Sequence, residues 1–340
     1  MDGPQLRLYS AAELSEATAG FSQHCLIGSG GFGKVYRAMV NLTPVAIKVL
    51  DHEGLQGLRE FHNEMKILAG LYHPHIVGLL GYAAEQPSPA GISPSSSGPQ
   101  AAGAGAGGAG GEAGAGGVGG PRSRSGMQAL VYELMTRGNL EELLACKSPG
   151  SALSWAVRLR IAAQVACAVA FLHSKDIIHR DIKPANVFLT ADLHAKLGDI
   201  GLAVMDNLYH IGRGGRGAEE NGEAVGTWQY LAPEYVTQSR GRISSSSRTD
   251  TYAYGLTLLQ LLTGSPSPKE LVRRAQAALE SAQLPALLDT SAGPWDMRAA
   301  QRAVKLALWC CMHAPDSRPQ MATVHAELHR LASAAAQCSS

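Results

Sequence analysis

Six residues near the start of the chain, Gly28–Gly33 (GSGGFG), match the pattern G-x-G-x-x-G. Alone, this pattern fits a dinucleotide-binding turn, a flap over phosphate groups or a plain glycine turn. In a dinucleotide site the last glycine opens a helix, whereas Lys34–Val40 (KVYRAMV) alternates like a strand. We therefore predict a strand–turn–strand flap, in which backbone N–H groups can approach phosphate oxygens because no Cβ atom intervenes.

A lysine follows on the next predicted strand. Lys48 ends the segment Val45–Lys48 (VAIK), and a lysine at the end of a buried strand is costly unless it meets an anion. A surface lysine is the simpler alternative. Glu64 lies on the amphipathic helix that three- and four-residue apolar steps predict over Gly57–Leu71. A Lys48–Glu64 pair would hold the ammonium group where it can contact phosphate oxygens.

The strongest pattern is His179–Asn186 (HRDIKPAN), which Asp199-Ile200-Gly201 follows thirteen residues later. Five motifs stand in one order over residues 28–234: the glycine flap, VAIK, HRDIKPAN, DIG and APE. In this order they resemble the signature of the eukaryotic protein kinases, and a likeness around Asp250 and Arg318 extends to about residue 330.

Three further stretches narrow the resemblance. The sequences LYSAAELSEATAGFS, LVYELMTRGNLEELL and GTWQYLAPEY are similar to those of plant receptor-like and Pelle-related kinases. Because we expect neither an extracellular domain nor a membrane span in this chain, the resemblance is to the cytoplasmic members of that group.

The resemblance implies transfer of a phosphoryl group from ATP to serine or threonine hydroxyls of proteins. Such an enzyme mainly positions the reactants and neutralises charge. By resemblance, Lys48 contacts the α- and β-phosphates, and Glu64 orients Lys48. Asp199 then binds the Mg²⁺ that bridges the phosphates, and Asn186 holds a second Mg²⁺.

Asp181 and Lys183 complete the implied chemistry. By resemblance, Asp181 accepts the proton of the substrate hydroxyl, and Lys183 reaches the γ-phosphate and favours Ser/Thr over Tyr substrates. Thr227 is implied to contact both side chains beside the peptide site. The alternative is a weak or inactive kinase-fold scaffold that binds signalling partners. That alternative predicts the loss of a catalytic Lys, Asp or Asn, and all of them are present.

The resemblance also implies an adenine pocket. Tyr132 falls at the gatekeeper position, although it also fits a plain core position, and the Glu133 carbonyl and Met135 N–H would bond the adenine edge. The implied nucleotide-binding residues are Ile27 (or Leu26), Gly28, Ser29, Gly30, Gly31, Phe32, Gly33, Val35, Ala46, Lys48, Tyr132, Glu133, Met135 and Phe188.

One departure from the family pattern follows the metal-binding aspartate. Ile200 replaces the usual Phe, and we expect it to fill an apolar stack with Leu68, Leu79 and His179. Because Asp199 is intact, the replacement predicts altered packing and retained chemistry.

A second departure concerns the segment between residues 201 and 226, which contains no Ser or Thr. We hypothesise that Glu223, helped by Glu219 and Glu220, pairs with Arg180 in place of a phosphorylated residue. A carboxylate carries less charge than a phosphate, so the hold would be weaker. Solvated loop acids are the alternative.

Composition favours a soluble protein. The 340 residues are 45% apolar and 17% charged, and 29 basic against 28 acidic residues leave a formal net charge of +1. This balance gives no electrostatic reason to expect nucleic acid or an anionic membrane as a partner. Six cysteines without a C-x-x-C pair favour a reducing compartment. The first twenty residues lack a basic segment followed by an apolar core, so they do not predict a secretory signal, and we expect no apolar run of about 18–20 residues, the length that crosses a bilayer.

We therefore expect a cytoplasmic protein without direct membrane insertion. Its expected partners are protein substrates phosphorylated on Ser or Thr and an upstream receptor or signalling complex.

The predicted fold is α+β, a bilobal protein-kinase-like fold with an antiparallel β-sheet lobe and a helical lobe. The predicted divisions are an N-terminal flank (1–20), a kinase domain (21–335) with an N-lobe (21–132), a hinge (133–137) and a C-lobe (138–335), and a tail (336–340). Two buried strands are predicted on either side of residues 86–126, at His75–Tyr82 and Met127–Leu134. The later predicted helices are Trp155–His173 with Ser154 as cap, Asp250–Leu262, Pro268–Ser281, Met297–Met312 and Pro319–Ala332.

A disordered Gly/Ala-rich insertion is predicted over residues 86–126. Its residues 101–120 include eleven Gly and seven Ala, too little side chain to offset backbone entropy by burial. Loop-closure entropy grows only logarithmically with length, so such an insertion can lie within one domain.

Overall fold

The structure is a computed structural model that describes residues 6–30, 33–50, 55–84, 127–145, 152–205, 225–237 and 245–338. A small lobe of strands precedes a larger lobe of helices. The strands are β1 (Arg7–Leu8), β2 (Leu26–Gly30), β3 (Gly33–Val40), β4 (Thr43–Val49), β5 (Leu79–Ala84), β6 (Gln128–Glu133), β7 (Ile177–Ile178), β8 (Val187–Leu189), β9 (Ala195–Leu197) and β10 (Val204–Met205). The helices are α1 (Ala11–Ala17), α2 (Leu55–Leu68), α3 (Leu140–Ala145), α4 (Trp155–Ser174), α5 (Pro233–Thr237), α6 (Ser247–Thr263), α7 (Leu271–Glu280), α8 (Leu284–Leu287), α9 (Met297–Cys310) and α10 (Met321–Cys338).

Alternating burial builds the sheet of the small lobe. In β4, Val45 and Ile47 are buried whereas Ala46 and Lys48 are partly exposed, because successive side chains of a strand face opposite sides. The six strands lie in the order β1-β5-β6-β4-β3-β2. Their register places Lys48 opposite both Val35 on β3 and Leu130 on β6, so these three side chains share one face of the sheet.

Residues 7–17 pack against this sheet. Strand β1 pairs with β5 in parallel, an exception to the antiparallel sheet that the sequence predicts. Tyr9 and Leu14 are buried in the core of the small lobe. Gly81 permits the close approach, since a Cβ atom there would lie 2.1 Å from the Arg7 carbonyl oxygen. This segment is therefore structurally part of the small lobe, while a domain boundary at residue 21 stays a prediction.

Helix α4 is the centre of the large lobe. Ser154 caps it, as predicted, with the Ser154 Oγ accepting a hydrogen bond from the Val157 N–H at 3.4 Å. Among the described residues, α4 is the one helix long and apolar enough to cross a bilayer, so the expectation that no stretch of this length is sufficiently apolar is wrong for this helix. Most of its length is buried, as expected for the core helix of a packed lobe, and it lies against α6 and α10.

A glycine brings α6 close to α9. A Cβ atom at Gly255 would lie 2.6 Å from the Cys311 Sγ and 2.9 Å from the Ala307 carbonyl oxygen, so no larger residue fits. Cys310 and Cys311 are both buried in this contact, which confirms that they are core residues. Close packing of this kind makes the large lobe a rigid base for the cleft.

The two-lobed α+β architecture is confirmed, and the predicted helices are all present. One predicted strand is shorter than expected, because it starts at Leu79 instead of His75. The preceding residues cross to the large lobe, where the Val77 N–H donates to the Leu197 carbonyl at 2.9 Å and Ile76 forms a bridge with Leu197. The predicted insertion and Glu223 lie outside the described residues.

Candidate active site

Helix α2 and strand β4 bring Glu64 to Lys48. Phe61, Glu64 and Leu68 share one helix face at steps of three and four residues, and all three are buried. Lys48 Nζ donates a hydrogen bond to Glu64 Oε2 at 3.1 Å. The buried carboxylate thus receives the cation that its burial requires.

Asp199 joins the same ammonium group from the large lobe. Lys48 Nζ lies 3.0 Å from Asp199 Oδ1. Burial alone would lower the pKa of Lys48, but the Glu64 and Asp199 carboxylates outweigh burial and raise it above its usual value. Lys48 is therefore a permanent cation that links both lobes.

Hairpin β8–β9 places Asn186 and Asp199 at one end of the same element. Val187 opposes Leu197 in the hairpin, and the Gly198 N–H donates to the Asn186 carbonyl at 2.9 Å. Asn186 therefore precedes the first strand and Asp199 follows the second. Their spacing in the sequence reflects the length of one short hairpin.

Asp181 is the acceptor of a closed polar network. Its Oδ2 accepts from Lys183 Nζ at 2.7 Å and from Asn186 Nδ2 at 2.9 Å. Its Oδ1 accepts from the backbone N–H of Thr227 at 3.0 Å and from the Thr227 hydroxyl at 2.7 Å. Lys183 Nζ also donates to Thr227 Oγ1 at 2.6 Å. Asp181, Lys183, Asn186 and Thr227, which the family resemblance groups together, therefore meet around one carboxylate.

This network keeps Asp181 ionised. Burial alone would raise the pKa of Asp181, but the Lys183 ammonium group and the Thr227 hydroxyl outweigh burial and lower it below its usual value. A carboxylate whose pKa is lowered is a weaker base than an ordinary one, and the four hydrogen bonds hold it as an acceptor in a fixed position. It suits the alignment of a hydroxyl group better than the removal of a proton from a free one.

A second buried aspartate fixes the backbone just before Asp181. Asp250 on α6 accepts from the backbone N–H groups of His179 and Arg180, each at 2.8 Å, and from His173 Nε2 at 2.9 Å. Arg180 has φ +72°, a conformation that a non-glycine residue adopts only when its surroundings hold it. Asp250 therefore fixes the turn that presents Asp181.

Ile200 fills an apolar position between the lobes. Ile200 is fully buried, as are Leu68, Leu79 and His179 to within a few per cent, and the three aliphatic residues belong to one continuous core. His179 Nε2 also lies 3.1 Å from the Gly198 carbonyl oxygen. The aliphatic replacement for Phe is thus accommodated by packing.

The two strands of the predicted glycine flap are present and form an antiparallel pair. Gly28, Ser29 and Gly30 end β2, and Gly33 opens β3 with φ +129°. A Cβ atom at Gly33 would lie 2.1 Å from the Val49 carbonyl oxygen, so this position requires glycine. Gly31 and Phe32 lie outside the described residues.

Four of the implied nucleotide-binding residues, Val35, Ala46, Lys48 and Tyr132, share one face of the sheet in the small lobe. Ala46 opposes Tyr132 in the β4–β6 register and Val35 opposes Lys48. Burial raises the pKa of Tyr132 well above its usual value, and the nearby Glu64 carboxylate adds to the effect. Ile27 is 48% exposed, and Met135 and Phe188 are partly buried; the contacts of all these residues with a nucleotide stay predictions.

Two side-chain oxygens of Asn186 and Asp199 are suitable ligands for a divalent cation. Asn186 uses its Nδ2 for hydrogen bonds to the Asp181 carbonyl and carboxylate, and Lys48 contacts Asp199 through Oδ1. Within the described part of the chain, Asn186 Oδ1 and Asp199 Oδ2 make no hydrogen bond. A carboxylate and an amide oxygen are the hard ligands that Mg²⁺ prefers.

Two positioning contacts escaped the sequence analysis. Asn63 on α2 donates to the Gly201 and Ala203 carbonyls. The Glu133 carboxylate accepts from the Gly78 N–H at 2.7 Å and from Lys196 Nζ at 2.7 and 2.8 Å, which ties the end of β6 to β9. Neither contact has a local sequence signal, because the partners are backbone groups or distant residues.

Comparisons with known proteins agree with this geometry. Residues 21–328 match the model of the protein kinase domain family. A probable serine/threonine-protein kinase, PBL26 of Arabidopsis thaliana, is 35% identical over 332 residues, which cover 93% of this chain and 68% of the relative. PBL15 of the same plant, also a probable serine/threonine-protein kinase, is 34% identical over 349 residues, covering 97% and 70%.

A third relative is the EPD1-interacting receptor-like cytoplasmic serine/threonine-protein kinase of Nicotiana benthamiana. It is 32% identical over 342 residues, which cover 95% of this chain and 63% of the relative. The similarity therefore runs through both lobes and the cleft between them.

Proposed function

We infer the roles of individual residues from one premise: the chain belongs to the protein kinase family and is a protein serine/threonine kinase. Membership implies a nucleoside triphosphate, a divalent cation and protein substrates. The finer proposal is that this chain uses ATP with Mg²⁺. We also propose that it acts in the cytoplasm downstream of a receptor or signalling complex, which the name of the Nicotiana relative supports.

We propose that Lys48 binds the α- and β-phosphates while Glu64 and Asp199 hold its ammonium group in place. Two of the three N–H donors of Lys48 are engaged by these carboxylates, which leaves one donor for a phosphate oxygen. Asn186 Oδ1 and Asp199 Oδ2 are the proposed Mg²⁺ ligands. The bound metal would neutralise charge on the phosphates during transfer.

Asp181 is the proposed acceptor for the substrate hydroxyl. Its carboxylate is ionised, buried and held by four donors, so its position is set before a substrate arrives. A serine or threonine hydroxyl can replace one of these donors, and we propose that it replaces the Thr227 hydroxyl. Lys183 then stays beside Asp181 to meet the negative charge of the phosphoryl group.

The observation that carries this proposal is the double contact of Lys48 Nζ, at 3.1 Å to Glu64 and 3.0 Å to Asp199. One cation thereby connects β4, α2 and the loop after β9. These contacts support the proposal because phosphoryl transfer requires phosphate-binding and metal-binding groups to lie close together.

Asp181→Asn tests the proposal. The variant keeps the shape of the side chain but loses its charge, so we expect the transfer of labelled phosphate from Mg-ATP to casein to fall by about 10²–10⁴-fold. Asp192→Asn is the matched control, because Asp192 is an exposed aspartate in the β8–β9 turn. Acid hydrolysis of the wild-type product should release phosphoserine or phosphothreonine.

The outcomes are distinct. A wild-type protein without transfer in either Mg²⁺ or Mn²⁺ would overturn the enzymatic proposal and favour the scaffold alternative. Equal rates for wild type and Asp181→Asn would remove Asp181 from the reaction. Transfer in Mn²⁺ and none in Mg²⁺ would correct the choice of metal alone.

A further inference from the structure

Asn63 joins helix α2 to the segment that follows Asp199. Its Nδ2 donates one hydrogen bond to the Gly201 carbonyl at 3.0 Å and another to the Ala203 carbonyl at 2.7 Å. A side-chain amide nitrogen carries two N–H donors, so both are used on this one stretch of backbone. The contact spans 138 and 140 positions of sequence and brings the small lobe to the large one.

The position of Asn63 on the helix gives it a different target from Glu64. Adjacent residues in an α-helix point about 100° apart. Glu64 therefore reaches Lys48 while Asn63 faces the backbone of residues 201–203. A Cβ atom on Gly201 would lie 3.4 Å from Glu60 Cβ and 3.6 Å from Glu64 Oε2, so α2 lies directly against this backbone.

The backbone that Asn63 contacts needs such support. Asp199 has φ +59°, a conformation that costs about 1–3 kcal/mol for a residue with a side chain unless its surroundings impose it. The Ala203 N–H donates to the Ile200 carbonyl at 3.0 Å, which closes a turn immediately after Asp199. Ile200 and Ala203 are fully buried and hold the turn on one side, and Asn63 holds its carbonyls on the other.

We propose that Asn63 is a positioning residue that fixes Asp199 relative to the Lys48–Glu64 pair. Its two hydrogen bonds and the Lys48 bridge are separate connections between α2 and the segment 199–203. Together they fix the position of Asp199 relative to helix α2. This inference rests on the role proposed above for Asp199.

The chemistry requires an amide at position 63. Two carbonyl oxygens face the side chain, and both accept hydrogen bonds. A carboxylate of the same shape has no N–H to donate and would place negative charge against two carbonyl dipoles. Glutamine keeps both donors on a side chain one methylene longer.

Asn63→Asp, Asn63→Gln and Lys66→Gln form the test set. Lys66 is an exposed residue on the same helix and serves as the control. We expect Asn63→Asp to lower kcat for casein phosphorylation by roughly 10–100-fold, corresponding to the loss of two hydrogen bonds, with the casein KM within about twofold of wild type. Asn63→Gln should keep several times more activity than Asn63→Asp, and Lys66→Gln should match wild type.

A second readout needs no turnover. In the protein without nucleotide, hydrogen exchange of the backbone amides in residues 199–204 should be faster in Asn63→Asp than in wild type. The gain in ADP affinity that Mg²⁺ provides should also shrink, because Asp199 is no longer held. Exchange in helix α9, which packs against α6 in the large lobe, should not change, and this comparison separates a local effect from general unfolding.

Two results would overturn the inference. The first is an active wild type with Asn63→Asp at the same kcat and the same exchange in 199–204. The second is equal loss in Asn63→Asp and Asn63→Gln with faster exchange throughout the molecule, which would make Asn63 a residue for folding alone. An inactive wild type would instead overturn the proposed function, and the exchange measurement would still decide whether Asn63 holds the segment.

Discussion

The Arg318–Glu234 pair of the large lobe and the Lys48–Glu64–Asp199 system of the cleft use similar charges in different surroundings. The Arg318 guanidinium is completely buried and donates to both Glu234 oxygens and to the carbonyls of Met312, His313 and Arg248. Its fork of five donors is matched by protein acceptors.

Lys48 is arranged so that a ligand can bind to its ammonium group. Its side chain is 18% exposed toward the cleft, and its two contacts use two of three donors. Lysine is a compact cation on a flexible stem, whereas arginine is a rigid fork. An arginine whose five N–H donors all have protein acceptors is suited to a permanent contact. A lysine with one unused N–H donor is suited to a site that binds a ligand.

The largest expected effect separates these two ion pairs by stability. Arg318→Met should destabilise the fold by about 3–5 kcal/mol, because it leaves the Glu234 carboxylate and three carbonyls in the lobe without their donor. We expect the Tm to fall by on the order of 10 °C. Lys48→Met should lower the Tm by less than half as much, since it takes the cation from one buried carboxylate, Glu64, and from the 34% exposed Asp199, and removes no donor from a backbone carbonyl. It should abolish phosphate transfer.

Differential scanning fluorimetry and the casein assay measure the two effects. Arg318→Lys keeps the charge without the fork and provides a milder variant if Arg318→Met does not fold. It should still lower the Tm by several degrees. Equal Tm losses for Arg318→Met and Lys48→Met would contradict the distinction between the two systems.

The same distinction explains what the sequence could predict. Lys48, Asp181, Asn186 and Asp199 lie in short motifs, because each acts through its own side chain and the nearby turn or hairpin presents it. The sequence therefore identified these residues as candidates. Their assembly around a common cleft followed from the family resemblance and from no local pattern.

Contacts that depend on distant backbone could not be predicted. Asn63 binds two carbonyls that are 138 and 140 residues away, and the pattern of α2 shows only a polar position. His75–Gly78 belongs to an apolar run that predicts strand, but its partner is Leu197 of the large lobe. Tyr9 and Leu14 belong to a stretch too short to reveal that it packs onto a sheet.

A third polar region lies around His73. We expect it to make the stability of the fold depend on pH, with a smaller effect than that of Arg318→Met. Burial lowers the pKa of His73 to about 4, and His75, His325 and Lys196 add positive charge nearby. Its ring stacks on Phe171 and its Nε2 lies 3.6 Å from Cys167 Sγ. This imidazole is therefore neutral in the folded protein at pH values where an ordinary histidine is already protonated.

The sign of the pH effect follows. Between about pH 6.5 and pH 4 the unfolded chain binds a proton at His73 that the folded protein refuses, so stability falls as the pH falls. Urea unfolding at pH 7, 6 and 5 should show this loss in wild type and a weaker loss in His73→Asn, which keeps an acceptor for the His75 N–H. The exposed His62 gives the control His62→Asn. Parallel pH profiles for all three proteins would contradict the prediction.

Asp250 contributes to the pH dependence of stability at a lower pH than His73 does. Burial alone would raise the pKa of Asp250, but His173 and His179, with the backbone N–H of His179, lower it below its usual value. A carboxylate with a lowered pKa stabilises the fold above its ordinary value of 3.8 and loses that contribution as the pH falls through the folded-state value. The histidine effect should thus appear first on acidification and the Asp250 effect second.

The smallest expected effect is at the N-terminal segment, where the polar contacts are exposed. Ser10 caps α1: its Oγ accepts from the Glu13 N–H at 3.2 Å, and the Glu13 carboxylate accepts from the Ser10 N–H at 2.8 Å. Ser10→Ala should cost about 1 kcal/mol and lower the Tm by roughly 2–4 °C without changing kcat. Ser15→Ala within the same helix is the control, and we expect its Tm to equal that of wild type. A Tm for Ser10→Ala equal to that of the control would mean that the Ser10 cap contributes nothing to the stability of the small lobe. A fall in kcat would mean that this cap also affects the active site.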